Sequence, residues 1–355
     1  MMRRWDLVPV AVACATVAIL VGVFYFGVFQ HSTYGAGPYL YDTGLFNYIV
    51  GPDSRNLEMP SAINMPSFYY VHISPILVPF SFISRLLGLK EFQPLEMVLI
   101  LGFSGAAAAA FVAIQYYLRP LGRIVSIALA ATFAIAFALS GIMRTTAAYP
   151  HIEILYVPLA VTALLLIFHR RMRWAWVAFV LCLLVREDAG LEMACILGAY
   201  LFLAAIAERG IPERMRDLLP FVGVALAYPA LALLAQNALL PIESNFARIY
   251  SGAPAYAHLN ATLLAHRWDV LTHEQPQALI TLASCLACFA LRPRWIALTG
   301  LLASLPWFLA GVTAYSETAG SFSLYYAFPF LVLPLVPFIV TAELPSAKVV
   351  YVDHL

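Results

Sequence analysis

The sequence predicts an all-α polytopic membrane protein of about ten transmembrane helices, and three features lead there. Of its 355 residues 63% are hydrophobic and only 11% charged, against about a quarter charged in a soluble domain. The mean hydropathy is +0.84. Apolar segments near bilayer length follow one another along the chain, and arginines gather in alternate connections between them. A net charge of +1 leaves no basic patch large enough to neutralise several phosphates, which excludes nucleic acid as a partner.

Cuts at charged and Pro/Gly-rich breaks place spans at about 7–29, 95–118, 124–142, 152–168, 173–188, 190–206, 218–236, 277–291, 295–311 and 324–341. The first, Leu7 to Phe29, exceeds the core of a signal peptide, which covers about 7 to 15 residues, and reads as a retained span. Residues 74–89 contain Pro75, Pro79 and Arg85 and predict a helix lying in the outer interface rather than an eleventh span.

With the amino terminus inside, the cytoplasmic connections carry Arg3, Arg4, Arg119, Arg123, Arg170, Arg171, Arg173, Arg209, Arg214, Arg216, Arg292, Arg294 and Lys348. These are 13 of the 20 basic residues, although the outside connections are longer. Both termini are therefore expected in the cytoplasm, with long extracytoplasmic loops at about 30–94 and 237–276. The expected organisation is one transmembrane domain over 1–355 without a separate soluble domain. The five cysteines fall inside apolar runs. Cys285 and Cys288 are spaced C-x-x-C but lack a second pair or a histidine, and read as helix-packing residues.

On this topology the unusual polar residues collect at the outer face. Asp42 and His72 are in the first loop; Arg144, His151 and Glu153 sit where the third span turns into the fourth; Arg186, Glu187 and Asp188 sit where the fifth turns into the sixth. The fifth span has about 12 apolar residues from Trp174 to Val185, about 18 Å at helical rise, too short to cross about 30 Å of hydrocarbon. The Arg-Glu-Asp trio is thus expected below the outer surface, facing a cavity, a partner or a substrate. Each residue also has a structural reading: Asp42 as N-cap of a short surface helix, Asp188 as cap of the sixth span beside an internal Arg-Glu pair, and His72 as a local residue before a Ser74-Pro75 helix start.

Four segments, Tyr41-Asp42-Thr43-Gly44-Leu45-Phe46, His72-Ile73-Ser74-Pro75-Ile76-Leu77, His151-Ile152-Glu153 and Arg186-Glu187-Asp188-Ala189-Gly190, occur in an order and spacing that resembles a bacterial multi-pass family, domain-of-unknown-function family 2079. That family is similar to the GT-C class of glycosyltransferases, which take a sugar from a polyprenyl-phosphate carrier and use an acidic residue of the first extracytoplasmic loop. The resemblance implies a bacterial plasma-membrane enzyme with its site facing outside. Asp42 would be its catalytic carboxylate, and a polyprenyl-phosphate-linked sugar and membrane lipid its partners. His72, Arg144 and Arg186 would bind the substrate phosphate. His151, Glu153, Glu187 and Asp188 would hold a divalent cation, Mg2+ or Mn2+. The chain departs from the family pattern in having Arg186 where a lysine is usual, Ile152 within the His-x-Glu segment, and Leu324-Tyr325-Tyr326 where a histidine is expected. A second reading is an ion-coupled transporter or flippase of a lipid-linked or polar substrate. A third is a scaffold in which Asp42 only caps a helix.

Overall fold

The computed structural model describes residues 4–32, 40–55, 57–59, 67–149, 151–210, 213–239, 247–274, 276, 279–280, 282–283, 294–322 and 324–341. The chain is mostly helical, and among the described residues an isolated bridge between Glu58 and Ser67 is the only extended pairing. Four helices are long and apolar enough to cross a membrane, within Leu7–His31, Gln93–Leu121, Ala189–Ala207 and Met215–Gln236. A fifth is made if Arg123–Ala138 and Gly141–Ala147, bent by 48°, form one span. Helices also occupy the shorter expected segments that are described. The expected span at 277–291 lies largely outside the described residues, as do Cys285 and Cys288.

Helix α1 (Arg4–Ser32) is apolar on every side, and its one buried stripe, Val17, Val21, Tyr25 and Phe29, recurs every four residues. That stripe packs on α4 (Gln93–Leu118), where Tyr25 stacks on Phe103 at 4.3 Å; the Tyr25 hydroxyl also donates to the carbonyl of Ala138, the last residue of the next long helix, at 2.5 Å. The rest of α1 exposes Leu7, Val12, Ile19, Leu20 and Val23, as expected of a helix solvated by lipid. Helix α4 is the central strut: its run Ala106–Ala110 and Gly102 allow close neighbours, and a Cβ on Gly102 would lie 2.4 Å from Ile154.

Helix α2 (Leu40–Val50) and α3 (Leu77–Leu87) belong to the first loop. At 11 residues, α3 is about 16 Å long and cannot span a bilayer. It ends at Gly88, whose φ of 63° is the left-handed conformation glycine adopts without strain. Its start corrects the sequence reading: the helix begins at Leu77 with Ile76 at the N-cap, and Ser74 makes no capping bond. Helix α5 (Arg123–Ala138) bends into α6 (Gly141–Ala147) because Ser140 leaves the helical conformation and its hydroxyl accepts from Met143 N.

A 3-10 turn at Ile152–Leu155 leads into α7 (Tyr156–Phe168), and α8 (Met172–Leu183) stops after 12 residues. Helices α9 (Ala189–Ala207) and α10 (Leu219–Leu239) then pack closely. Pro229 has no N–H for the carbonyl of Ala225 four residues back, and Gly190 packs against that bare carbonyl. A Cβ at Gly190 would sit 2.4 Å from the Ala225 oxygen. Helix α11 (Ala261–Asp269) lies in the second loop, capped by the side chain of Asn260. Helix α12 (Ala297–Val312) packs on α9 and is followed by three short helices, α13 (Glu317–Gly320), α14 (Phe328–Val332) and α15 (Val336–Thr341).

Candidate functional site

The early end of α8 creates the site. Arg186, Glu187 and Asp188 fill the turn before α9, and Ile76 N donates to the carbonyl of Leu184 at 3.1 Å, which draws the first loop alongside that turn. Glu187 then takes a donor from the loop on each oxygen: His72 Nδ1 at 2.7 Å on Oε1 and Ile73 N at 2.9 Å on Oε2. Arg186 forks onto Asp188, with Nε donating to Oδ1 at 2.6 Å and Nη2 to Oδ2. Its Nη1 reaches Glu153 Oε1 at 3.4 Å. The other oxygen of Glu153 accepts from His151 Nδ1, which assigns the ring proton to that nitrogen. Three stretches far apart in sequence, 72–76, 151–153 and 184–188, therefore meet through polar contacts.

Burial decides the charges. Desolvation lowers His151 well below the usual imidazole value, and the positive charges of His72 and Arg186 add to it, so His151 stays neutral at neutral pH. Burial works against the charge on Arg186, but Asp188 and Glu187 outweigh it and hold the guanidinium charged. Burial likewise opposes the charge on Glu187, yet the charge and hydrogen bond of His72, with Arg186, pull it down to about 2. Tyr250, brought in from the second loop, is raised by desolvation and keeps its phenolic proton.

Two cavities share this cluster as a wall. The larger, about 1120 Å³ of empty space counted to its mouth, has a polar end at His72, Arg186, Glu187 and Asp188. Its apolar flank consists of Leu191 and Cys195 of α9, Pro229 and Leu233 of α10, and Pro306 and Ala310 of α12. Of this flank Leu191 and Leu233 are 40% and 37% exposed. The smaller cavity, about 560 Å³ on the same measure, is lined by Glu153, Arg186, Asp188 and Glu192 among aromatic rings. Arg186, Asp188, Tyr250, Trp307 and Tyr326 border both.

No family model, curated protein or solved structure matches this chain.

The expected site residues fall into three groups. His72, His151, Glu153, Arg186, Glu187 and Asp188 are brought together as described. Arg144 is exposed on α6 and lines neither cavity. Asp42 is the third residue of α2 and so is not its N-cap, which corrects the capping reading; its side chain lies outside the described residues. Its backbone position is one helical turn before Phe46, which is buried and packs edge-on against the His151 ring at 4.5 Å. Asp188 occupies the N-cap position of α9 but makes no capping bond, because Arg186 takes both its oxygens.

The four residues expected to hold a cation do not converge as a ligand set. His151 and Glu153 bond each other, Glu187 takes His72 and Ile73 N, and Asp188 takes Arg186. Among the described residues no three His, Cys, Asp or Glu side chains are arranged around a common point. Sequence reading missed Glu192, Tyr156 and Trp307. Glu192 was detectable, being the one charged residue in the apolar helix Ala189–Ala207. Tyr156 and Trp307 carry no such signal among the many aromatics of the chain.

Proposed function

We propose that this chain is a bacterial plasma-membrane glycosyltransferase of the GT-C type, with about ten spans and both termini in the cytoplasm. It would take a sugar from a polyprenyl-phosphate carrier to an acceptor at the outer face. The larger cavity supports this reading most directly: charged, hydrogen-bonding residues share one space with an apolar flank, a combination that suits a phosphate on an isoprenoid chain. The motif resemblance to domain-of-unknown-function family 2079 and the arginine-rich alternate loops support the family and the topology.

In this reading the isoprenoid lies along Leu191, Leu233 and Ala310, and its phosphate approaches Arg186 and His72. The acceptor hydroxyl loses its proton to the carboxylate of Asp42 as its oxygen bonds to the anomeric carbon. The bond from that carbon to the phosphate oxygen breaks, and polyprenyl phosphate leaves with the electron pair. Arg186 offsets the charge gathering on the leaving phosphate. Glu187 positions His72, and Glu153 positions both His151 and Arg186. No step is routed through a cation.

The test is a comparison of lipid-linked sugars and envelope glycans in a deletion strain complemented with wild type or with Asp42→Asn. Asp42→Asn at normal protein level is expected to leave the sugar on its carrier and the glycan unmodified. Glycan modification that survives in Asp42→Asn contradicts the proposal. A deletion that strands the lipid-linked sugar on the cytoplasmic side would favour the transporter reading.

A further inference from the structure

Among the described residues lining either cavity Arg186 is the one arginine or lysine, and its guanidinium is already engaged. Asp188 accepts on both oxygens, from Nε at 2.6 Å on Oδ1 and from Nη2 on Oδ2, the same two-pronged fit that a guanidinium offers a phosphate. Glu153 accepts from Nη1 at 3.4 Å. The side chains of Arg186 and Asp188 are only 13% and 21% exposed, so parting them is costly unless each finds a replacement.

Both replacements are at hand. For Arg186 it is a phosphate in the larger cavity, which the guanidinium borders. For Asp188 it is the start of α9. Asp188 occupies the N-cap position, yet its backbone is helical, with φ −89° and ψ −9°, and its side chain makes no capping bond. An acid at that position ordinarily accepts from N–H groups of the first turn and is favoured there by the helix dipole. The neighbouring acid is not free to do the same, because Glu187 is tied to the first loop through His72 and Ile73 N. Every side-chain hydrogen bond of Asp188 among the described residues goes to Arg186.

We propose that Asp188 is a competitor built into the site: a phosphate binds by displacing it from Arg186, and this exchange decides which phosphates bind. A free anion gains the fork but breaks the Arg186–Asp188 pair, an exchange of like for like. A phosphate on an isoprenoid chain adds apolar contacts along Leu191, Leu233 and Ala310, and these tip the balance. The released Asp188 turns to cap α9. The inference rests on the lipid-phosphate reading of the larger cavity and adds the residue that makes the site reject phosphates without a tail.

The experiment titrates the full-length purified chain in detergent with farnesyl phosphate and with inorganic phosphate. Hydrogen exchange at residues 189–192 is followed with and without farnesyl phosphate. Asp188→Asn keeps the size of the side chain and removes its charge; it is expected to tighten both ligands about tenfold and by the same factor, since the competitor opposes both equally. In wild type farnesyl phosphate should slow exchange at 189–192, and in Asp188→Ala, which cannot cap, that slowing should be absent. Farnesyl phosphate bound equally by wild type and Asp188→Asn, or more weakly by the variant, overturns the proposal and leaves the lipid groove standing. Tighter binding by Asp188→Asn without slowing in wild type shows plain repulsion between two anions and overturns the exchange. Slowing that persists in Asp188→Ala comes from contact with the ligand and overturns it as well. The wild-type exchange measurement needs no variant and decides the matter if Asp188→Asn does not fold. Farnesyl phosphate that binds neither wild type nor Asp188→Asn overturns the lipid-phosphate reading and the inference with it.

Discussion

Replacing Glu187 by alanine removes the link between the first loop and the turn that carries Arg186. Two bonds disappear, from His72 Nδ1 at 2.7 Å and from Ile73 N at 2.9 Å, and Glu187 is only 13% exposed. Hydrogen bonds to a charged group contribute about 1.5–3 kcal/mol each, so the loss is about 3–6 kcal/mol, close to the range of about 3–5 kcal/mol for breaking a buried pair from one side. The lowered position of the carboxyl gives a second figure. The carboxyl is held at about 2 against an ordinary 4.5, a displacement worth about 3 kcal/mol, which includes the pull of Arg186. Because the folded value is the lower one, this stabilisation is complete above 4.5 and is lost as the pH falls through 4.5 towards about 2. Unfolding in detergent, followed by tryptophan fluorescence, should show Glu187→Ala less stable by this amount at neutral pH. The gap to wild type should close in acid over the same interval. A gap under about 1 kcal/mol at neutral pH, or one that does not narrow in acid, refutes the role given to Glu187.

Four other outcomes are expected. Gly190→Ala drives a methyl into the Ala225 carbonyl and the Pro229 ring, neither of which can turn aside, and should cost about 1–3 kcal/mol in the same unfolding measurement. Arg267→Met removes the buried guanidinium that donates to the carbonyls of Ala314, Ser316 and Glu317, and hydrogen exchange should rise across 314–321 while the long helices stay protected. Arg144→Ala, at an exposed position outside both cavities, should change sugar transfer by less than about twofold. Removal of divalent cations with EDTA should leave transfer intact; a loss restored by Mg2+ or Mn2+ would return His151, Glu153, Glu187 and Asp188 to the role of ligands.

Much of the helical layout is legible in the sequence because bilayer-length apolar runs and charged breaks are local signals. The short fifth segment is the clearest case: its apolar run implies an early end, α8 stops at Leu183, and Arg186 to Asp188 lie in the turn that follows. The pairings within the site are not local and could not be read. Nothing in the sequence says that His72 belongs to Glu187 rather than to a ligand, or that Arg186 would occupy both oxygens of Asp188 and so deprive α9 of its cap. Arg144 looks like its equals in sequence, yet the bend at Ser140 leaves it exposed on α6. The cation reading has the same origin: His151, Glu153, Glu187 and Asp188 are ligand-type residues at suggestive spacings, and spacing does not reveal the partners each takes. Tyr156, Trp307 and Tyr250 come from three separate segments and acquire a role only through packing.

Photo-crosslinking with a benzophenone-bearing isoprenoid phosphate, mapped by peptide mass spectrometry, examines the lipid groove most directly. Label is expected on α9, α10 and α12 around Leu191, Leu233 and Ala310, suppressed by excess farnesyl phosphate and weakened by Arg186→Gln. Label spread over the exposed faces of α1 and α5, or label indifferent to farnesyl phosphate and to Arg186, would contradict a lipid-phosphate site in this cavity.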